Sequence, residues 1–141
     1  MSRLITGLGG AAAGLAGLAW LRHRLLVVTV TGTSMQPAFQ PGDRVLVRRA
    51  AGRVRVGAVL IFAEPPPGPG ESWVVKRVAA VAGDAVPTGV RPAVDGAATV
   101  PPGMLVMLGD GTRSRDSRQW GFVPASQVLG VAVRRLPRRA R

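Results

Sequence analysis

LLVVTVTGTSMQPAFQPGDRVLVR, residues 25–48, consists of two apolar runs joined by a turn-rich linker. The runs Leu25–Val30 and Arg44–Arg48 are rich in Val and Leu, side chains that suit a pleated, half-buried surface. Between them, Gly32, Pro37 and Pro41-Gly42 supply turn geometry. The stretch therefore reads as strand, constrained turn, strand. The same alternation continues outward through Val56–Phe62, Trp73–Val81, Met104–Leu108 and Val128–Val133, with Pro101-Pro102-Gly103 as a further break. Glu64–Glu71 (EPPPGPGE) reads as a projecting loop, and Ala85–Gly103 as a hairpin or small insertion. The expected fold class is mostly β.

Composition agrees with that reading. A chain of 141 residues has room for one modest domain. Its 12 prolines and 19 glycines, with 47% hydrophobic but only 4% aromatic residues, suit short strands of Val, Leu and Ala rather than a helical bundle. The apolar runs are too frequent for a disordered chain. With no cysteine, disulfides, thiolate metal sites and cysteine nucleophiles are excluded. A net charge of +12 raises nucleic acid or anionic membrane as partners. The cations are scattered, apart from Arg134, Arg135, Arg138, Arg139 and Arg141, and form no basic helix with interleaved aromatics. No nucleic-acid partner is expected, and attraction to anionic lipid accounts for the charge at least as well.

At the amino-terminal end, Leu4–Leu21 carries no charge and, as a helix, would extend about 27 Å, close to the apolar thickness of a bilayer. Trp20, Arg22, His23 and Arg24 follow as an interfacial group. The expected organisation is a membrane anchor over 1–24, a β-domain over 25–136 and a basic tail over 137–141. A cleaved signal peptide and a buried core helix are the alternatives for the first segment.

Ser34 lies in the constrained turn, where a hydroxyl can be presented beside backbone N–H groups, the ingredients of a nucleophile with an oxyanion site. An ordinary turn with an incidental serine is the plain alternative. The only histidine, His23, sits at the supposed membrane boundary, so a Ser-His-Asp arrangement lacks a base and a Ser/Lys pair remains. Of 19 basic residues 18 are arginine, and the single lysine is Lys76. Arginine does not give up its proton in a protein, whereas a desolvated lysine does. In SWVVKRVAAV, strand alternation puts Lys76 on the face of Val74 and Val78 and turns Arg77 away. Apolar neighbours lower a lysine pKa; a lysine packing its stem and extending its head to solvent is the alternative. In LGDGTRSRDSRQWGFVP, Asp116 and Arg118 are spaced for an ion pair, and Ser114 for orienting a nearby amine.

Together, GTSMQP, VVKRVAAVAGD and LGDGTRSRDSRQWGFVP resemble, in order, the nucleophile, lysine and Gly-Asp…Ser-x-Asp-Ser-Arg boxes of the type I signal peptidases, the S26 Ser/Lys serine proteases. The resemblance implies a partly barrel-like β-domain on one transmembrane helix, needing neither metal nor cofactor. It implies Ser34 as nucleophile, through its N–H part of the oxyanion hole, and Lys76 as general base. Ser114 would orient the lysine, Met35 border the cleft, and Asp116, Arg118, Arg77 and Asp110 hold the shape. Some members carry a serine two residues before the nucleophile as second oxyanion donor. Gly32 stands there in this chain, leaving Thr31, Thr33 or no donor at all. Gly111 replaces the usual Asn, the loop is about one residue short, and the region between the last two boxes is brief.

The implied substrates are secretory precursors cut after Ala-x-Ala-like sites and bound in extended form; no obligate oligomer is expected. A dedicated maturation protease and a membrane-tethered binding module without catalysis are the alternatives. The self-cleaving SOS repressors share the dyad, but their DNA-binding helices have no counterpart here. The family places its domain outside the cytoplasm, on a single-pass anchor in the cell membrane, and that location is expected. Charge alone, with Arg3 before the anchor and Arg22 and Arg24 after it, argues the reverse.

Overall fold

The computed structural model describes residues 6–49, 52–66 and 72–138. Seven strands form one antiparallel sheet, curled into a half-barrel: β1 (Leu25–Thr29), β2 (Arg44–Arg49), β3 (Val59–Ala63), β4 (Trp73–Val81), β5 (Met104–Leu108), β6 (Val123–Pro124) and β7 (Val128–Leu136). Their order is β1-β2-β7-β3-β4-β5-β6. The last strand thus sits inside the sheet, between β2 and β3, and joins the Ser34 end of the chain to the Lys76 end. Register shifts at Leu46/Val47 and Ile61/Phe62 mark bulges where β7 meets these two neighbours, and bulges add local twist and bend.

Strand β3 is buried along its whole length because apolar layers cover both of its faces. Leu60 and Phe62 pack with Val78, Leu105, Met107 and Val123 on one side. Ile61 packs with Val30, Val45 and Val47 on the other. Each such side chain contributes about 1.5–3 kcal/mol on leaving water, so β3 and its two partners form the most firmly held part of the fold.

The expected strands are present, with differences at β3 and β6 and with the expected insertion over 85–103. β3 starts at Val59, not Val56, because Gly57 (φ +89°) turns the chain and donates its N–H to the Val78 carbonyl. The two-residue β6 and the short helix α2 (Ser117–Trp120) are too brief to show a period in sequence. The segment 85–103 is a folded insertion with its own core, in which Val86, Val90 and Val100 pack on Ala80 and Val106 beside a 3₁₀ turn, Arg91–Val94. Of the expected loop Glu64–Glu71, residues 67–71 lie outside the described residues.

The expected transmembrane span requires correction. A helix, α1, runs over Thr6–Arg24, but no helix among the described residues is long and apolar enough to cross a membrane. Glycines dilute its hydropathy, and Arg22, His23 and Arg24 occupy its last turn. Leu4 and Ile5, the first residues of the expected span, fall outside the described residues.

Candidate active site

The linker between β1 and β2 folds back on itself as a closed loop. At its base Val30 N–H donates to the Asp43 carbonyl and Gly42 N–H to the Val30 carbonyl, both at 2.8 Å. Inside it, Gln36 N–H reaches Thr33 O (3.1 Å) and Phe39 N–H reaches Met35 O (2.9 Å), so Ser34 opens a run of tight turns. The buried Asp43 carboxylate accepts from the Gln40 N–H (2.9 Å) and from Arg138 Nε (3.0 Å), tying the loop to the end of β7. The Gln40 N–H, with the Arg138 guanidinium, holds the Asp43 carboxyl below its ordinary range against the opposing effect of burial. Among the hydrogen bonds of the described residues, none is donated by the Ser34 N–H. Gly32 sits at φ +82°, a conformation that costs any side chain about 1 kcal/mol or more, so no hydroxyl is carried at this position.

Ser34 and Met35 form one wall of a cleft of about 250 Å³. Val28–Thr31 extend that wall, while Glu64 and Ser72–Val75 form the other. Met35 is almost wholly buried there. Lys76 follows Val75 in β4, opposite Leu60 of β3. It is buried, 4% exposed, on the same face as Val78. Its Nζ lies 6.0 Å from the ring centre of Trp120. Burial pulls the Lys76 pKa below 10.5; the Asp116 and Glu64 carboxylates oppose that shift and the Arg118 guanidinium adds to it. Arg77, one residue on, points to the opposite face and forks onto Asp110, Nε–Oδ1 2.9 Å and NH2–Oδ2 2.7 Å. Its third donor reaches the Gly57 carbonyl at 2.9 Å.

The third segment wraps around a single carboxylate. Asp116 is fully buried and caps α2, in a capping box with Gln119. Arg118 grips it at 2.9 and 2.8 Å, and the Gly109 N–H donates to Oδ2 at 2.9 Å. Desolvation raises its pKa, but the Arg118 fork, the Gly109 N–H and the Arg118 N–H outweigh it and bring the value to about 2. The Ser114 hydroxyl pulls the same way from outside hydrogen-bond geometry; its Oγ is buried with no partner among the described residues. Ser117, also buried, accepts the Met107 N–H at 2.8 Å and pins α2 to β5.

The Gly109–Gly111 turn brings the first and third segments together. Gly111 N–H donates to the Ser34 carbonyl at 2.8 Å. A Cβ at Gly109 would strike Ser114 Oγ and lie 2.6 Å from Ser34 O; one at Gly111 would lie 2.7 Å from Thr33 O. Such separations are too short for any side chain, so only glycine fits at these two positions. Ser34, Ser114 and Asp116 therefore surround one turn, while Lys76, on β4, feels the charge of Asp116. Sequence reasoning passed over Glu64, Asp43, Ser117 and Trp120. Only Trp120 had a visible signal, as the aromatic residue in the Trp-Gly of the third box.

The protein-family model described as signal peptidase, peptidase S26, matches residues 8–90 and 88–136. Those spans take in the Ser34 loop, the lysine strand and the Asp116 box. The chain belongs to the signal peptidase family, peptidase S26, a family of serine peptidases.

Proposed function

We propose that the protein is an endopeptidase of the signal peptidase type that removes leader segments from secretory precursors after small, Ala-x-Ala-like residues. The observation that carries this reading is the burial of the sole lysine, on a strand whose preceding residues share a cleft with Ser34. A precursor segment lies extended in the cleft, along the backbone of Val28–Thr31 and Ser72–Val75. The neutral Lys76 amine takes the Ser34 Oγ proton as Oγ attacks the carbonyl carbon of the residue before the cut. The Ser34 N–H stabilises the resulting oxyanion. The C–N bond breaks, and the proton held on Lys76 passes to the departing amine. Water then attacks the Ser34 ester with Lys76 again accepting a proton, releasing the acid and restoring the serine. Ser114 orients the amine, and the Asp116–Arg118 and Arg77–Asp110 pairs hold the strands in register.

The domain works at the cell membrane and outside the cytoplasm, bound through α1. Its exposed Leu15, Leu18, Trp20 and Leu21, followed by Arg22 and Arg24, suit an apolar layer and its anionic headgroups. A reporter fused after Arg141 and active only in the cytoplasm would contradict this placement. The catalytic reading is tested with a peptide bearing an Ala-x-Ala site, in detergent. The wild type cleaves it, and Ser34→Ala and Lys76→Ala each lose at least about a hundredfold in rate. Cleavage persisting in either variant refutes the dyad.

A further inference from the structure

Among its described residues, the substrate cleft contains one carboxylate side chain without a close partner. Its walls are otherwise apolar (Val28, Val30, Met35, Trp73, Val74, Val75) or hydroxyl-bearing (Thr29, Thr31, Ser34, Ser72), and Glu64 is the exception. The carboxylates of Asp43, Asp110 and Asp116 each hold a guanidinium at 3.0, 2.7 and 2.8 Å respectively. Among the described residues Glu64 has only Arg115, at 4.0 Å, and that arginine is 70% exposed while Glu64 itself is 32% exposed. Its backbone is fixed, since Glu64 N–H donates to Ser72 O at 2.8 Å across the mouth of the β3–β4 hairpin. A carboxylate partly withdrawn from water and held by a distant, solvated partner is short of compensation. A cation brought in by the bound chain supplies it.

We infer that Glu64 is a specificity-determining residue, and that it selects substrates carrying a lysine or arginine in the few residues that occupy the cleft ahead of the scissile bond. The inference rests on the cleft being the substrate site, as proposed above. In a chain of net charge +12 with only seven acidic residues, a carboxylate beside the nucleophile loop is the local exception to a field that repels cationic peptides. Glu64 also opposes the lowering of the Lys76 pKa. A role confined to the lysine would change the pH dependence of cleavage and leave the choice between charged and neutral substrates untouched.

The test uses the full chain in detergent with Ser34→Ala, which binds without turnover. Ala-x-Ala peptides carry lysine, or its neutral near-isostere norleucine, at each of the four positions before the cut. At one position the lysine peptide binds about fourfold tighter, the scale of a half-exposed ion pair, and the preference shrinks in 0.5 M salt. Adding Glu64→Gln brings the ratio to about one; because each ratio is taken within one protein, a general loss of affinity cancels. Arg115→Gln, which frees the carboxylate, raises the ratio and serves as the second variant should Glu64→Gln misfold. Equal affinities at every position, or an unchanged ratio in Glu64→Gln, overturn the inference. Intact preference in binding, with no cleavage by the protein that retains Ser34, would instead overturn the peptidase mechanism and leave the role of Glu64 standing.

Discussion

Lys76 and Arg77 are neighbours in one strand, yet the two faces of β4 treat their cations in opposite ways. On one face Lys76 lies buried among Leu60, Val78 and Trp120, with no ion pair among the described residues. On the other, Arg77 is 37% exposed and forked onto Asp110. Burial acts against the charge of Lys76, while hydrogen bonding by Asp110 reinforces that of Arg77. A cation built to hold structure receives a close carboxylate. In the proposed mechanism Lys76 is a base that must be able to lose its proton, and it has apolar walls and distant acids instead.

The comparison is broken most severely by putting the wrong cation on the buried face. Lys76→Arg preserves charge and length but supplies a group that stays protonated, so peptide cleavage falls by about a thousandfold even where thermal unfolding shows an intact fold. A variant retaining a tenth of the wild-type rate would contradict the general-base role. A smaller effect comes from Asp116, the acid that both pairs with Arg118 and opposes the drop in the Lys76 pKa. Its carboxyl titrates at about 2 instead of 3.8, which at about 1.4 kcal/mol per unit corresponds to about 2 kcal/mol of stability at neutral pH. Because the folded value is the lower, this contribution is complete above pH 3.8 and is lost as the pH falls through about 2. Asp116→Asn, which keeps a helix cap, therefore lowers urea stability by about 2 kcal/mol at pH 7 and flattens the acid limb of the stability curve. The smallest effect belongs to the exposed face. Arg77→Gln costs under about 1 kcal/mol after solvent screening, and the difference narrows in 1 M salt.

How much of this could be read from sequence follows the same division. The alternation in SWVVKRVAAV placed Lys76 inward and Arg77 outward, because a strand's period of two needs no knowledge of its partners. The apolar runs located six of the seven strands, and the three boxes located Ser34, Ser114 and Asp116. Contacts joining residues far apart in the chain were not legible. The Asp43–Arg138 bond that closes the Ser34 loop spans 95 residues. Nor could it be read that Gly111 packs against the Thr33 carbonyl, where a Cβ would come within 2.7 Å. Glu64 looked like the first residue of a loop, since nothing in EPPPGPGE tells that its carboxylate faces a cleft. The amino-terminal segment was legible as a helix, but an 18-residue uncharged run did not become a described helix long and apolar enough to cross a membrane.

Because the chain has a single lysine, the state of its base can be observed without interference. Labelling lysine with ¹³C at the ε carbon gives one side-chain resonance, whose chemical shift reports the charge on Lys76 as the pH is raised in detergent. A titration midpoint clearly below 10.5, moving further down in Asp116→Asn as an opposing acid is removed, is the result expected of a buried base. A midpoint at or above 10.5 would mean that Lys76 remains an ammonium at neutral pH, and the Ser34–Lys76 mechanism would fail with it.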